Sequence, residues 1–254
     1  IFTFSIFYIV PKNDNKFLPF FYLLITLSIF YNYELFSGLH EIMIFSYLMI
    51  ISKYLYNMIV ARNFFYLVFI IFYINLIFWT KTEGLVYAFI FLILINLIKK
   101  IEIREKIISS IIILSLILLK TLIYQYYEIN LNAQPLYNYD YIKTLNLSLI
   151  IEKIRYIIPW LAYYSLSNIF FVTGLILILY QNFNKEIKNE HIKLLNVYLF
   201  LFMSFIFSAY ILREQDIIYS IRTTMDRLVM TSSGFFLFMI YQNINKIIQK
   251  KKIF

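Results

Sequence analysis

Apolar runs separated by short polar breaks recur from one end of this chain to the other. The runs cover residues 17–33, 42–60, 63–78, 85–98, 107–124, 160–180, 194–212 and 228–244, and most charged side chains fall in the breaks. A soluble helix or strand shows its apolar residues with a period of 3.6 or 2. Runs that are apolar all round mark segments surrounded by lipid, where a helix satisfies every backbone polar group internally. The pattern predicts an all-α, polytopic transmembrane helical bundle of about eight full spans, forming a single domain over residues 1–254. Two of the runs, 63–78 and 85–98, fall short of the roughly 20 residues of a typical span. They read as short spans buried among neighbours rather than as a re-entrant hairpin. The run 1–10, ended by Pro11, lacks a basic n-region and a cleavage site. It reads as the remnant of a further helix, not as a signal peptide.

The breaks alternate in character. Lys12 and Lys16, Lys53 and Arg62, Lys99 to Lys106, Lys185 to Lys193 and the lysines after residue 245 fall on one side if every run spans. By the positive-inside rule that side, with the C-terminus, is cytoplasmic. The outer face then receives four breaks: 34–41, 79–84, 124–159 with a surface helix expected at 149–158, and 213–227. Most carboxylates lie there, together with the cations Lys81, Arg213, Arg222 and Arg227. Outer loops need no such cations, and their presence beside carboxylates points to an anionic ligand or to ion pairs.

Composition narrows the classes. The chain is 62% hydrophobic and 15% charged, against about half and a quarter in a soluble domain. Its net charge of +9 is explained by basic cytoplasmic loops, so nucleic acid is not an expected partner. With no cysteine a thiolate metal site is excluded, and with only His40 and His191 as imidazoles, far apart in sequence, a His-rich zinc site is not expected. The four glycines are scattered; neither a dinucleotide fingerprint nor a phosphate-binding loop can be written.

Candidate chemistry concentrates in three short segments. In Glu34-Leu35-Phe36-Ser37-Gly38-Leu39-His40-Glu41, either Glu34 or Glu41 could serve as a general base, and Glu41 could hold a divalent cation. Solvated carboxylates at helix ends are the plain alternative, with Glu41 near a helix N-terminus. His40 is a candidate proton carrier or phosphate contact, or incidental. Trp79-Thr80-Lys81-Thr82-Glu83-Gly84 sets Lys81 and Glu83 in a turn, as a structural pair or as site residues. In Arg222-Thr223-Thr224-Met225-Asp226-Arg227, Thr223 or Thr224 could cap the last span, with Asp226 in its first turn. Arg227 does not suit a helix N-terminus, so Arg222 and Arg227 are candidates for gripping phosphate, with interfacial snorkelling as the alternative. Lys120 reads as snorkelling to the outer interface. The tyrosines after residue 123 read as an aromatic belt or as a platform for sugar rings.

Three segments carry a family resemblance. Phe36-Ser37-Gly38-Leu39-His40-Glu41 resembles the second outer-loop motif of polytopic glycosyltransferases of the C superfamily, with Glu41 where an Asp is usual. Thr80-Lys81-Thr82-Glu83-Gly84 resembles the Thr-Lys-x-Glu-Gly turn of that family, and Thr224-Met225-Asp226-Arg227-Leu228 its late Ser-x-Asp-Arg-Leu element. The resemblance implies transfer of a sugar from a polyprenyl-phosphate donor to a glycan, lipid or protein acceptor at the outer face of a prokaryotic inner membrane. It implies Glu41 and Glu34 as catalytic residues, Lys81, Arg222 and Arg227 on the donor phosphate, and His40, Glu83 and Asp226 in support. It also implies that the family's first helix and first outer loop, with the principal acidic residue, lie upstream, and that residues 1–254 are inactive without them. A transporter or flippase of lipid-linked saccharides, or a non-catalytic membrane subunit, are the rival readings. A transporter would call for mid-membrane polar groups and an internal repeat.

Overall fold

A computed structural model of the chain describes residues 2–9, 22–24, 26–27, 39–61, 63–81, 83–127, 143–144, 146–183, 190–213 and 216–251. Regular structure among them is helical: α1 (Phe2–Ile9), α2 (Leu39–Ala61), α3 (Phe64–Thr80), α4 (Gly84–Leu97), α5 (Ile103–Tyr126), α6 (Leu147–Ser167), α7 (Ile169–Phe183), α8 (Glu190–Ile211) and α9 (Ile217–Lys251). The all-helical class expected from the runs is what forms. Three helices, α2, α5 and α8, are long and apolar enough to cross a bilayer, and α6 with α7 makes a fourth if the bent pair is one span. Helices α3 and α4 are apolar but have 17 and 14 residues, roughly 25 and 21 Å at 1.5 Å per residue. Most of the expected span at 17–33 lies outside the described residues.

Local chemistry sets the helix ends. The side-chain oxygen of Asn63 accepts from Phe65 N–H at 2.9 Å and starts α3, and Asn146 does the same for Leu149 N–H at the start of α6. Asp216 accepts from Ile218 N–H at 2.9 Å, so α9 begins ten residues before Arg227. The expected polar loop at 213–227 is therefore mostly helix. Thr223 and Thr224 do not cap it; their hydroxyls turn back to carbonyls of the preceding turn. Asp226 lies beyond the first turn.

A second boundary differs. The expected break at Pro159 does not form, and the run 160–180 is divided between two helices rather than being one. Helix α6 runs through Pro159, and the chain turns by 93° after Ser167. Asn168, fully buried, makes the corner: its backbone N–H closes α6 on Tyr164 O at 3.2 Å. Its side-chain oxygen accepts from Phe171 N–H at 2.9 Å, opening α7. One residue thus ends one helix and caps the next.

Helix α9 is the axis of the bundle, packing on α2, α7, α6 and α8. Residues 229–241 are buried without interruption, as are 44–52 of α2. Among the described residues the most extensive contact is α9 against α2, where a Cβ on Gly234 would overlap the carbonyl oxygen of Phe45. Beside it, Ser232 and Ser233 bond to carbonyls of their own helix, leaving little bulk between the two backbones. Helix α5 lies at the edge, with Ser109, Ile113 and Lys120 buried and much of the remainder apolar and exposed.

Among the described residues, four lysines end on helix carbonyls. Lys53 donates to Tyr8 O near the end of α1, and Lys100 to Ile59 O near the end of α2 at 2.5 Å. Lys120 donates to Phe78 O near the end of α3, and Lys153 to Ile211 O and Arg213 O after α8 at 2.9 and 2.5 Å. The last carbonyls of a helix have no partner of their own and carry its negative dipole end. Lys120 accordingly turns inward, with its Nζ 4.2 Å from the Phe78 ring centre, and does not snorkel.

Ala is the better helix former than Gly by about 1 kcal/mol, yet Gly234→Ala is expected to cost a net 1–2 kcal/mol, roughly, because α9 must move off α2. A Cβ on Gly174 would lie 2.7 and 2.8 Å from Cγ and Cβ of Phe236, atoms that turning the ring does not move, so Gly174→Ala is also expected to be destabilising. Thermal unfolding of both variants in detergent measures the loss; a neutral Gly234→Ala contradicts the close approach.

Candidate functional site

The α2–α9 contact also positions the charged groups. Arg227 is two helical turns before Gly234, and Glu41 one turn before Phe45, so both project toward the same end of the bundle. Helix α2 starts at Leu39, which puts Glu41 in its first turn rather than in a loop. There the N-terminal end of the helix dipole favours a carboxylate. The short connection between α3 and α4 supplies the third segment. Gly84 N–H donates to Lys81 O at 3.0 Å, and a Cβ on Gly84 would overlap the backbone of Ile77 and Phe78. Only glycine lets the start of α4 lie that close to the end of α3. The extended backbone of Lys81 follows α3 and carries its side chain to α2.

Lys81 Nζ donates to Glu41 Oε1 at 3.1 Å, and Arg227 Nη1 stands 3.6 Å from the same oxygen. Lys81 also lies 3.4 Å from Glu83. The Glu41 side chain is 7% exposed, against 32% for Lys81 and 46% for Arg227. A buried carboxylate is thus held between two half-exposed cations. The guanidinium is aimed by its own helix: Arg227 Nε and Nη2 donate to Thr223 O at 3.1 and 2.7 Å. Together with Ile44, Tyr87, Thr224, Leu228 and Thr231, these residues line one pocket, which encloses room for about one water molecule.

The structure brings together Glu41, Lys81, Glu83 and Arg227 from three separate stretches of chain. It does not bring Arg222 to them. Arg222 is five residues from Arg227, about 140° around an α-helix, and its guanidinium lies 5.5 Å from the Trp160 ring centre on α6. Asp226 is not part of the pocket lining either. Burial pushes its carboxyl up, partly opposed by Arg227. His40 is exposed and outside the lining. Glu34 lies outside the described residues.

Among the described residues no three His, Asp or Glu side chains gather as a metal-binding group, and Lys81 and Arg227 both meet the same oxygen of Glu41. The chemistry the pocket can offer is exchange of one anion for another: two cations now hold a carboxylate and would equally hold a phosphate.

Tyr87 and the hydroxyls of Thr224 and Thr231 were not predicted. Thr224 belongs to a quoted motif but only as a helix cap. Tyr87 follows the Lys-x-Glu-Gly turn by one helical turn, a spacing that places it beneath that turn, but the chain has 24 tyrosines and nothing in sequence distinguishes this one.

If the two cations compensate a buried carboxylate, removing both leaves it stranded. The double variant Lys81→Met, Arg227→Met is expected to lose about 2 kcal/mol, and adding Glu41→Gln to recover most of it. Thermal unfolding of the three variants checks this; no recovery in the triple variant means the carboxylate is not the destabilising group. Comparison of the chain with protein-family models, with characterised proteins and with solved structures gives no match.

Proposed function

We propose that the protein is a membrane glycosyltransferase that takes a polyprenyl-phosphate-linked sugar at the Glu41–Lys81–Arg227 pocket and passes the sugar to an acceptor at the outer face of a prokaryotic inner membrane. The observation that carries this reading is the meeting of the three segments, each of which resembles a motif of the same transferase family, over one carboxylate at one end of a bundle of apolar helices. Lys99 and Lys193 lie at the opposite end, beside Glu190, as the positive-inside rule requires if the pocket is outside.

The step breaks the bond between the sugar's anomeric carbon and the phosphate oxygen, and forms a bond from that carbon to the acceptor oxygen. The acceptor's proton passes to a base, and the electron pair of the broken bond stays on the departing lipid phosphate. Lys81 and Arg227 stabilise the charge that develops there. Because the pocket is nearly filled, the phosphate enters by replacing the Glu41 carboxylate on the two cations. Glu41, released, is then placed to orient the acceptor hydroxyl. A base must lie within hydrogen-bond reach of that hydroxyl. Glu34, seven residues before Glu41, is the proposed second carboxylate.

Two variants of the complete protein, including the upstream acidic residue that the resemblance implies, in lipid nanodiscs and given farnesyl-phosphate-linked hexose, test this. Arg227→Ala is expected to lower release of farnesyl phosphate by about 10²- to 10³-fold; unchanged turnover and donor binding sink the phosphate role. Glu41→Gln removes the internal competitor. It is expected to tighten farnesyl phosphate binding about tenfold while turnover falls, so weaker binding in this variant contradicts the exchange.

A further inference from the structure

Three neutral hydroxyls line the pocket, those of Tyr87, Thr224 and Thr231, and two have their protons committed. Thr231 Oγ1 donates to Arg227 O at 2.6 Å. Thr224 Oγ1 donates to Ser220 O at 2.7 Å and lies 2.7 Å from the Tyr210 hydroxyl, from which it accepts. Each threonine has a single hydroxyl hydrogen, so towards a ligand both can only accept. Tyr87 differs. Its ring is 2% exposed, and its hydroxyl is buried with no hydrogen-bond partner among the described residues. A buried hydroxyl without a partner is rare and costly, because it has left water and gained nothing. The neighbouring carboxylate, Glu83, immediately precedes α4, the helix that carries Tyr87, and turns instead to Lys81.

We infer that Tyr87 is a positioning residue for the ligand, its hydroxyl donating a hydrogen bond to an oxygen of the lipid-linked phosphate once that phosphate has displaced Glu41. The inference rests on the anion-site reading given above. It specifies that reading: the ligand presents an acceptor oxygen to the inner wall of the pocket, while its charge is met at the outer wall by Lys81 and Arg227. Phosphate has this shape, with several oxygens diverging from one centre. A ligand with a single point of negative charge would engage the cations and leave the tyrosine unused.

The change Tyr87→Phe deletes one oxygen and nothing else. Farnesyl phosphate is titrated into the purified full chain in detergent, with tryptophan fluorescence as readout and farnesol as the uncharged control. Thermal unfolding is recorded with and without ligand. The expected result is a free protein at least as stable as the original, since an unsatisfied group is gone, together with about tenfold weaker farnesyl phosphate binding and unchanged farnesol binding. Farnesyl phosphate binding that is sensitive to Arg227→Ala but unaffected by Tyr87→Phe overturns this inference and leaves the anion site standing. A Tyr87→Phe protein that is less stable without ligand assigns the hydroxyl a structural partner and overturns it too. No binding by the original chain, or binding indifferent to Arg227→Ala, removes the anion site and this inference with it.

Discussion

The close approach of α9 to α2 is the constraint on which the rest of the molecule depends. Gly234 brings the two backbones together at Phe45, and from that point the helical rise fixes how far Arg227 and Glu41 extend beyond it. Because both helices are buried along their central stretches, neither can rotate without exposing or overpacking residues on every side. A salt bridge between flexible surface residues is worth little. Here the backbones are set by packing, so much of the entropic cost of bringing the charges together has been met by folding.

Burial then decides what each charge does. Lysines whose ammonium groups enter the bundle do not seek counter-ions; they close the ends of neighbouring helices, where carbonyls are left over. Lys81 and Arg227 differ in lying at a helix junction that also contains a carboxylate. The distinction is chemical. A cation on a carbonyl dipole stays where the helix end is, whereas a cation on a carboxylate is exchangeable with any other anion of suitable shape.

The sequence was most legible where hydrophobicity and sidedness alone decide. Apolar runs located α2 to α5 and α8 within a few residues, and the alternation of basic and mixed breaks was enough to group Glu41, Lys81 and Arg227 at one end. Helix phase was not legible. Reading residues 213–227 as a loop concealed that Arg222 and Arg227 face different ways on one helix, although Asp216 ahead of Ile217 and Ile218 is a recognisable cap. Pro159 drew attention as a breaker while Asn168, which makes the real corner, looked ordinary; an asparagine becomes a double cap only when its surroundings are dry. Tyr87 was out of reach for a related reason. Whether a hydroxyl has a partner is a property of the packed protein.

The lysine tethers bear on how the protein meets its surroundings. Lys53, Lys120 and Lys153 each have an ammonium group drawn against another helix, so the formal excess of positive charge overstates what a passing polyanion encounters. Reagents that modify amines should find these three sluggish, and where one does react, the injury falls on the neighbouring helix whose terminus it had closed.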